Sequence, residues 1–244
     1  MMQLKKTINS NYAHDEETLI QLFYSKRFFS RIDKDSNKLK FVHITKNAGT
    51  SIEDIAKEYG VNWGRHEAER LKQYKKKLNF KGAIWHTPPK FIPEAYKGYN
   101  TFAVVRNPYD RCISEMHCPW TQKLLMGSEL LDTKEKFNRE LQKLIVNVNT
   151  DHFYPQYHYT HDEENKIVTH ILRFENLKKD FNQLMSKYKL KLRLNKHINA
   201  KPHKNWINLT PIRFTIKDLN KESIELINKV YDIDFKIFNY EKIF

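Results

Sequence analysis

Short apolar runs alternate with amphipathic stretches along most of the chain. The runs near residues 38–44, 82–86, 100–105 and 168–173 predict strands, because each is short and is bounded by polar or turn-forming residues. Apolar positions repeat with helical spacing near residues 15–29, 50–59, 108–117, 133–146, 175–188 and 219–230. Strands that alternate with helices are typical of a parallel sheet with helices on both faces. The pattern therefore predicts an α/β fold of three layers around a central parallel sheet.

The loop after the first predicted strand carries the clearest chemical pattern. It combines a cation, a glycine and two hydroxyls in the order Lys46, Asn47, Ala48, Gly49, Thr50 and Ser51. The N-terminus of the helix that follows offers unpaired N–H groups and a favourable dipole to an anion, so we predict a phosphate-like ligand here. The alternative is an ordinary strand-to-helix turn capped by Thr50 or Ser51. A nucleoside-triphosphate P-loop is excluded, because its lysine follows the second glycine whereas Lys46 precedes Gly49.

A second segment, at residues 101–116, repeats the arrangement of strand, polar turn and helix. Arg106 follows the apolar run at residues 102–105, and ligands of open α/β sheets bind at the carboxyl ends of strands. Pro108 suits the first turn of a helix, which places Ser114 about two turns further on. Arg106 and Ser114 are therefore candidates for holding one phosphate between them. The alternative is a surface arginine in a salt bridge and a solvated serine.

The two segments together resemble the sulfotransferases that use 3′-phosphoadenosine 5′-phosphosulfate (PAPS). Residues 46–51 are similar to the loop with which that superfamily binds the 5′-phosphosulfate. The pattern Arg-Asn-Pro-x-x-Arg-x-x-Ser at residues 106–114 is similar to its 3′-phosphate segment, whose ligands are the leading arginine and the serine. The resemblance implies a P-loop-like fold, PAPS as the cofactor, Arg106 and Ser114 as 3′-phosphate ligands, and no metal requirement.

Later stretches resemble the Golgi-type, family 2 carbohydrate sulfotransferases. Residues 151–156 are similar to their Glu/Asp-His-Trp-x-Pro-Gln stretch, with Phe153 in place of the tryptophan. Residues 171–181 and 231–240 resemble the segment that follows and the usual ending, whereas residues 1–37, 60–80 and 117–150 show no usable resemblance. The resemblance implies transfer of a sulfuryl group from PAPS to an acceptor hydroxyl, with a glycan or another hydroxyl-bearing molecule as the acceptor.

Sulfuryl transfer needs a base for the acceptor proton and positive charge at the leaving oxygen. We assign Lys46 to the leaving oxygen. His86 is the preferred base because it follows the predicted strand at residues 82–86, and because a similar His-Thr element supplies the proposed base in related sulfotransferases. His152 and then Glu175 are the alternatives, while His43 is interpreted as a packed histidine.

Length and hydropathy bound the organisation of the chain. Its 244 residues predict one domain, with residues 1–37 as an N-terminal extension and residues 195–212 as a candidate lid loop. The apolar runs are far shorter than a membrane span, and the first residues lack the pattern of a signal peptide. We therefore expect a cytoplasmic protein or the trimmed catalytic domain of an anchored one.

Charge and cysteine content narrow the partners. The 43 basic and 29 acidic residues give a net charge of +14, which fits an anionic cofactor and an anionic acceptor. Nucleic acid is a less favoured partner, because the aromatic residues fall mostly within apolar runs. Cys112 and Cys118 lack metal-ligand spacing, so no metal is predicted. Two other function classes stay open, namely a small-molecule kinase and a noncatalytic basic protein that binds nucleic acid or glycans.

Overall fold

The computed structural model describes residues 38–75, 82–146, 151–194 and 208–244. The predicted helix at residues 15–29, the N-terminal extension and most of the candidate lid loop lie outside these residues. Residues 208–212 of that loop are described, and they form neither helix nor strand.

The described residues contain a central parallel sheet and a small hairpin. Their strands are β1 (Leu39–Val42), β2 (Asn100–Val105), β3 (His161–Asp162), β4 (Asn165–Lys166) and β5 (His170–Arg173). The sheet has the order β1-β2-β5, with all three strands parallel, and β3 pairs with β4 in the hairpin. Phe41 is in register with Phe102, and Ala103 with Ile171. This register aligns the carboxyl ends of β1, β2 and β5 along one edge of the sheet.

Nine helices connect and cover the strands in the described part of the chain. They are α1 (Gly49–Glu58), α2 (Ala68–Lys75), α3 (Pro108–Met116), α4 (Pro119–Leu124), α5 (Lys134–Val146), α6 (Tyr157–Thr160), α7 (Leu177–Lys187), α8 (Lys221–Val230) and α9 (Asp232–Phe238). The predictions for α1, α3, α5, α7 and α8 are confirmed. The remaining four were not predicted, and they are the shorter or less regularly amphipathic ones.

Both faces of the sheet are covered, as the alternation of side chains along a strand requires. Phe41 and Phe102 pack on one face, together with Ile52 of α1 and Phe181 of α7. Val42, Ala103 and Val105 pack on the opposite face, where they meet Tyr154, Tyr159 and Phe238. The predicted α/β fold, a central parallel sheet flanked by helices, is confirmed.

The strand predicted at residues 82–86 is wrong. Ile84–His86 forms a turn of 3-10 helix, in which the N–H of His86 donates to the Ala83 carbonyl at 2.9 Å. Pro88 and Pro89 follow directly, and proline has no N–H for a strand ladder. The N–H of Ala83 donates to the Asp151 carboxylate instead, at 3.2 Å. His86 is therefore held by a turn and not at the end of a strand.

No helix in the described ranges is both long and apolar enough to span a bilayer.

Candidate active site

The loop between β1 and α1 is folded by two residues in the left-handed region. Lys46 and Ala48 both have φ of 64°. Ala48 is the N-cap of α1 and makes no side-chain capping bond, so the predicted cap by Thr50 or Ser51 is not formed at this position. The N-cap side chain therefore does not compete for the N–H groups at the start of α1, and a helix N-terminus favours an anion.

Gly49, the first residue of α1, is required by close packing. A Cβ atom built on it would lie 2.2 Å from Nε2 of His43, which is itself buried. Only a residue without a side chain lets the helix begin against this imidazole.

The second predicted segment meets this loop. Arg106 follows β2, and its Nη1 donates to the Lys46 carbonyl at 3.2 Å. Asn107 caps α3 by accepting from the N–H of Tyr109 at 2.9 Å, and Pro108 occupies the first helical position. Ser114 lies half-buried in the same helix. The structure thus brings residues 46 and 106, sixty residues apart, into contact at one edge of the sheet.

The guanidinium of Arg106 lies against an aromatic ring. Its Cζ lies 4.1 Å from the centroid of the Phe174 ring, and burial lowers the pKa of Arg106. Among the described residues, no carboxylate forms an ion pair with it, and its buried Nε has no hydrogen-bond partner. The predicted alternative of a surface salt bridge is therefore not observed. A buried cation with an unsatisfied donor is a site prepared for an anion.

The amine of Lys46 is also available to an anion. Lys46 is half-buried, and within the described part of the chain its amine has no hydrogen-bond or ion-pair partner.

Other motif residues hold the loops together. Asn47 is fully buried, and its Nδ2 donates to the Val104 carbonyl and to Oε1 of Gln156, both at 2.7 Å. Nδ2 of Asn47 is therefore committed to contacts within the protein. Arg111 is also buried, and it donates to the Thr45 carbonyl at 3.1 Å and to the His152 carbonyl at 3.0 Å. These bonds fix the anion loop against residues 151–156.

His86 forms a buried dyad with Asp151. Its Nδ1 lies 2.7 Å from Oδ2 of Asp151, and only 9% of its surface is exposed. Burial and the neighbouring His43 lower the pKa of His86 to about 4. Burial opposes the charge on Asp151, but the hydrogen bond with His86 outweighs it and lowers the pKa of Asp151. At neutral pH the carboxylate accepts from Nδ1–H, which leaves Nε2 of a neutral imidazole as the proton acceptor.

Two further histidine–carboxylate pairs flank this dyad. The ring centroid of His86 lies 4.5 Å from that of His43 and 5.6 Å from that of His152. His43 Nδ1 is 2.6 Å from Oε1 of Glu53, and His152 Nδ1 is 2.7 Å from Oε1 of Glu115. Burial opposes protonation of His152, but contacts with Cys118 and Glu115 outweigh it and raise the pKa of His152 to about 10. His152 is therefore a cation at neutral pH, beside a neutral His86.

The Sulfotransferase family model matches residues 30–241, which is most of the chain. The chain belongs to the sulfotransferase family. No curated protein and no solved structure matches this sulfotransferase significantly.

The third candidate base of the sulfotransferase, Glu175, lies beside Arg106 and not beside His86. Its Oε1 accepts from the N–H of Asn107 at 2.8 Å, and its Oε2 accepts from the hydroxyl of Tyr240 at 2.9 Å. One oxygen therefore holds the start of α3, and the other holds the segment after α9.

Sequence reasoning missed the partners of the histidines. Asp151 is 65 residues from His86, and Glu115 is 37 residues from His152. The one sequence feature that pointed to these pairs was the position of Asp151 and His152 at the start of residues 151–156. We interpreted that stretch by its resemblance to known enzymes and did not predict that its side chains pair with His86 and Glu115.

Among the residues of the sulfotransferase that the structure describes, two groups of side chains carry metal-ligating atoms within 4.8 Å of one another. They are His86 with Asp151 and His152, and Glu115 with Cys118 and His152. Nδ1 of each histidine already contacts a carboxylate, so hydrogen bonds between the side chains are enough to hold each group together. The absence of a metal requirement stays a prediction.

Proposed function

We propose that this sulfotransferase moves the sulfuryl group of PAPS to an acceptor hydroxyl on a carbohydrate. The observation that carries the proposal is the contact between Arg106 and the Lys46 carbonyl at 3.2 Å. It joins two cationic segments at the carboxyl edge of the sheet, where ligands of α/β folds bind. One ligand with two separate phosphate groups would use both segments at once.

The residues present suit such a ligand. The uncapped start of α1, with Gly49, Thr50 and Ser51, and the amine of Lys46 would hold the 5′ end. Arg106, whose Nε lacks a partner among the described residues, and Ser114 would hold the 3′-phosphate. When bound, PAPS supplies the sulfuryl group and a phosphate as its leaving group.

His86 acts as the general base in this proposal. Its Nε2 accepts the proton of the acceptor hydroxyl while the hydroxyl oxygen forms its bond to sulfur and the bond from sulfur to the phosphate oxygen breaks. Asp151 holds the ring and stabilises the imidazolium that results, as a buried carboxylate does in other histidine dyads. Lys46 offsets the negative charge that develops on the leaving phosphate.

A carbohydrate acceptor is supported by the resemblance of residues 151–156 to the Golgi-type enzymes. Two members of that stretch, Asp151 and His152, lie at the proposed base.

The decisive experiment compares ligands by thermal shift. The product analogue 3′-phosphoadenosine 5′-phosphate (PAP) should stabilise the protein without metal, whereas ATP with Mg²⁺ should not. Lys46→Ala and Arg106→Ala should each abolish the PAP shift, and Lys178→Ala, which removes an exposed lysine on α7, should leave it unchanged. A larger shift with ATP and Mg²⁺ would favour the kinase alternative. Equal, small losses from all three variants would favour a noncatalytic polyanion-binding protein.

A further inference from the structure

An exposed tryptophan lies next to the proposed base. Trp120 of α4 is 39% exposed, and its indole stacks on the His152 ring with centroids 4.7 Å apart and an interplanar angle of 15°. The ring of His152 in turn lies 5.6 Å from that of His86. The indole is therefore within about 10 Å of the base, a span that one or two sugar rings cover.

The position of the indole is not explained by core packing. Trp63 is buried and Trp85 half-buried, whereas Trp120 is held flat by His152 at the surface. Leu124, one turn further along α4, is 50% exposed. A single exposed leucine is ordinary on a protein surface, whereas an indole that is held flat beside the proposed base is a candidate contact site for a ligand.

Unsatisfied polar atoms border the same place. Oε2 of Glu115 is buried and has no hydrogen-bond partner in the ranges that the structure describes, although Oε1 of the same carboxylate contacts His152. Nε2 of His117 is likewise buried and unpaired there. Buried polar groups without partners are costly, so a side-chain movement that lets a hydroxyl of the ligand reach these atoms would stabilise the complex.

We infer that the outer face of the Trp120 indole, whose inner face rests on His152, is a stacking platform for a pyranose ring of the acceptor, and that this ring or the next one along the glycan presents its hydroxyl to His86. The inference rests on the proposed function and specifies its acceptor site. A pyranose combines an apolar C–H face, which suits a flat indole, with hydroxyls around its edge, which suit Glu115 and His117. A phenol or an aliphatic alcohol carries one hydroxyl and would leave those groups unpaired.

The test separates acceptor binding from cofactor binding. Wild type, Trp120→Ala, Trp120→Phe and Leu124→Ala are assayed with labelled PAPS. The acceptors are β-linked hexasaccharides, one set neutral and one set containing uronate, with a tyrosine peptide and n-octanol as non-sugar acceptors. Trp120→Ala should raise the acceptor KM about tenfold or more and leave the Kd of PAP unchanged, because truncated tryptophan anchors cost this much. Trp120→Phe should recover part of the loss, and Leu124→Ala should change KM less than about twofold.

Several results would overturn the platform. The first two are sulfation of the non-sugar acceptors only, and sulfation of no sugar. The third is a rise in the acceptor KM for Leu124→Ala that equals the rise for Trp120→Ala. The fourth is weaker binding of PAP by Trp120→Ala, which would assign the indole to the adenine of the cofactor. Failure of wild type to bind PAP would instead overturn the proposed function itself.

Discussion

The His86–Asp151 dyad allows a quantitative prediction. His86→Ala removes the proposed base, and general-base catalysis contributes about 10²- to 10⁴-fold, so kcat should fall by that factor. This loss corresponds to about 3–5 kcal/mol in the activation barrier. The Kd of PAP should not change, because His86 contacts neither phosphate segment in the proposal.

Asp151→Asn probes the same bond from its other end. The charge-assisted bond of 2.7 Å is worth about 1.5–3 kcal/mol, so kcat should fall about 10- to 100-fold. An amide that donates to Nδ1 also selects the tautomer with the proton on Nε2, which cannot accept from a hydroxyl. Oδ2 of Asp151 also accepts from the N–H of Ala83, so an amide nitrogen at that position loses this second bond, and the fold of the variant is checked alongside its rate.

The double variant decides the case. Because Asp151 acts only through His86, His86→Ala with Asp151→Asn should be no slower than His86→Ala alone. The assay is single-turnover transfer from labelled PAPS, with PAP affinity by calorimetry and folding by circular dichroism. Losses that multiply, or normal turnover by His86→Ala, would refute the reasoning.

Three further outcomes are expected. Gly82→Ala should lower kcat as Asp151→Asn does and spare PAP binding, because its Cβ would lie 2.7 Å from Cγ of Asp151; unchanged turnover would contradict this. Asn47→Ala should lower the free energy of unfolding in urea by about 1–3 kcal/mol, because the Val104 carbonyl and Oε1 of Gln156 each lose one buried donor; a change below about 0.5 kcal/mol would refute it. The His86 ring should titrate by NMR near its pKa of about 4, and PAP should raise that pKa, because bound negative charge favours the imidazolium; a free-protein midpoint near 6.5 would contradict the buried dyad. Between pH 4 and 6.5 the unfolded chain takes up a proton at His86 that the folded chain does not, so His86 makes the free energy of unfolding rise with pH in this range. His152 acts in the opposite direction. Its stabilisation is complete below about pH 6.5 and is lost as the pH rises through its folded pKa of about 10.

Local sequence determined the elements that carry the cofactor motifs. The apolar runs of β1 and β2 and the amphipathic period of α1 and α3 are short-range patterns, so they were readable without the fold. Once both motifs were placed after parallel strands, the topology of the sheet implied that Lys46 and Arg106 would meet.

Local reasoning failed at residues 82–86. The apolar run there resembles a strand, but the prolines that follow and the carboxylate of Asp151 compete for its backbone. His86 stays the proposed base, because the turn brings it to the carboxylate of Asp151.

Only the tertiary structure decided the chemical state of the site. Nothing near His86, His152 or Trp120 in the sequence indicates that the first is neutral, the second charged and the third stacked on the second. Protonation depends on burial and on partners that lie 65 and 37 residues away along the chain. Electrostatic energy depends on distance in space and on exposure to water, and a linear sequence specifies neither until the chain has folded.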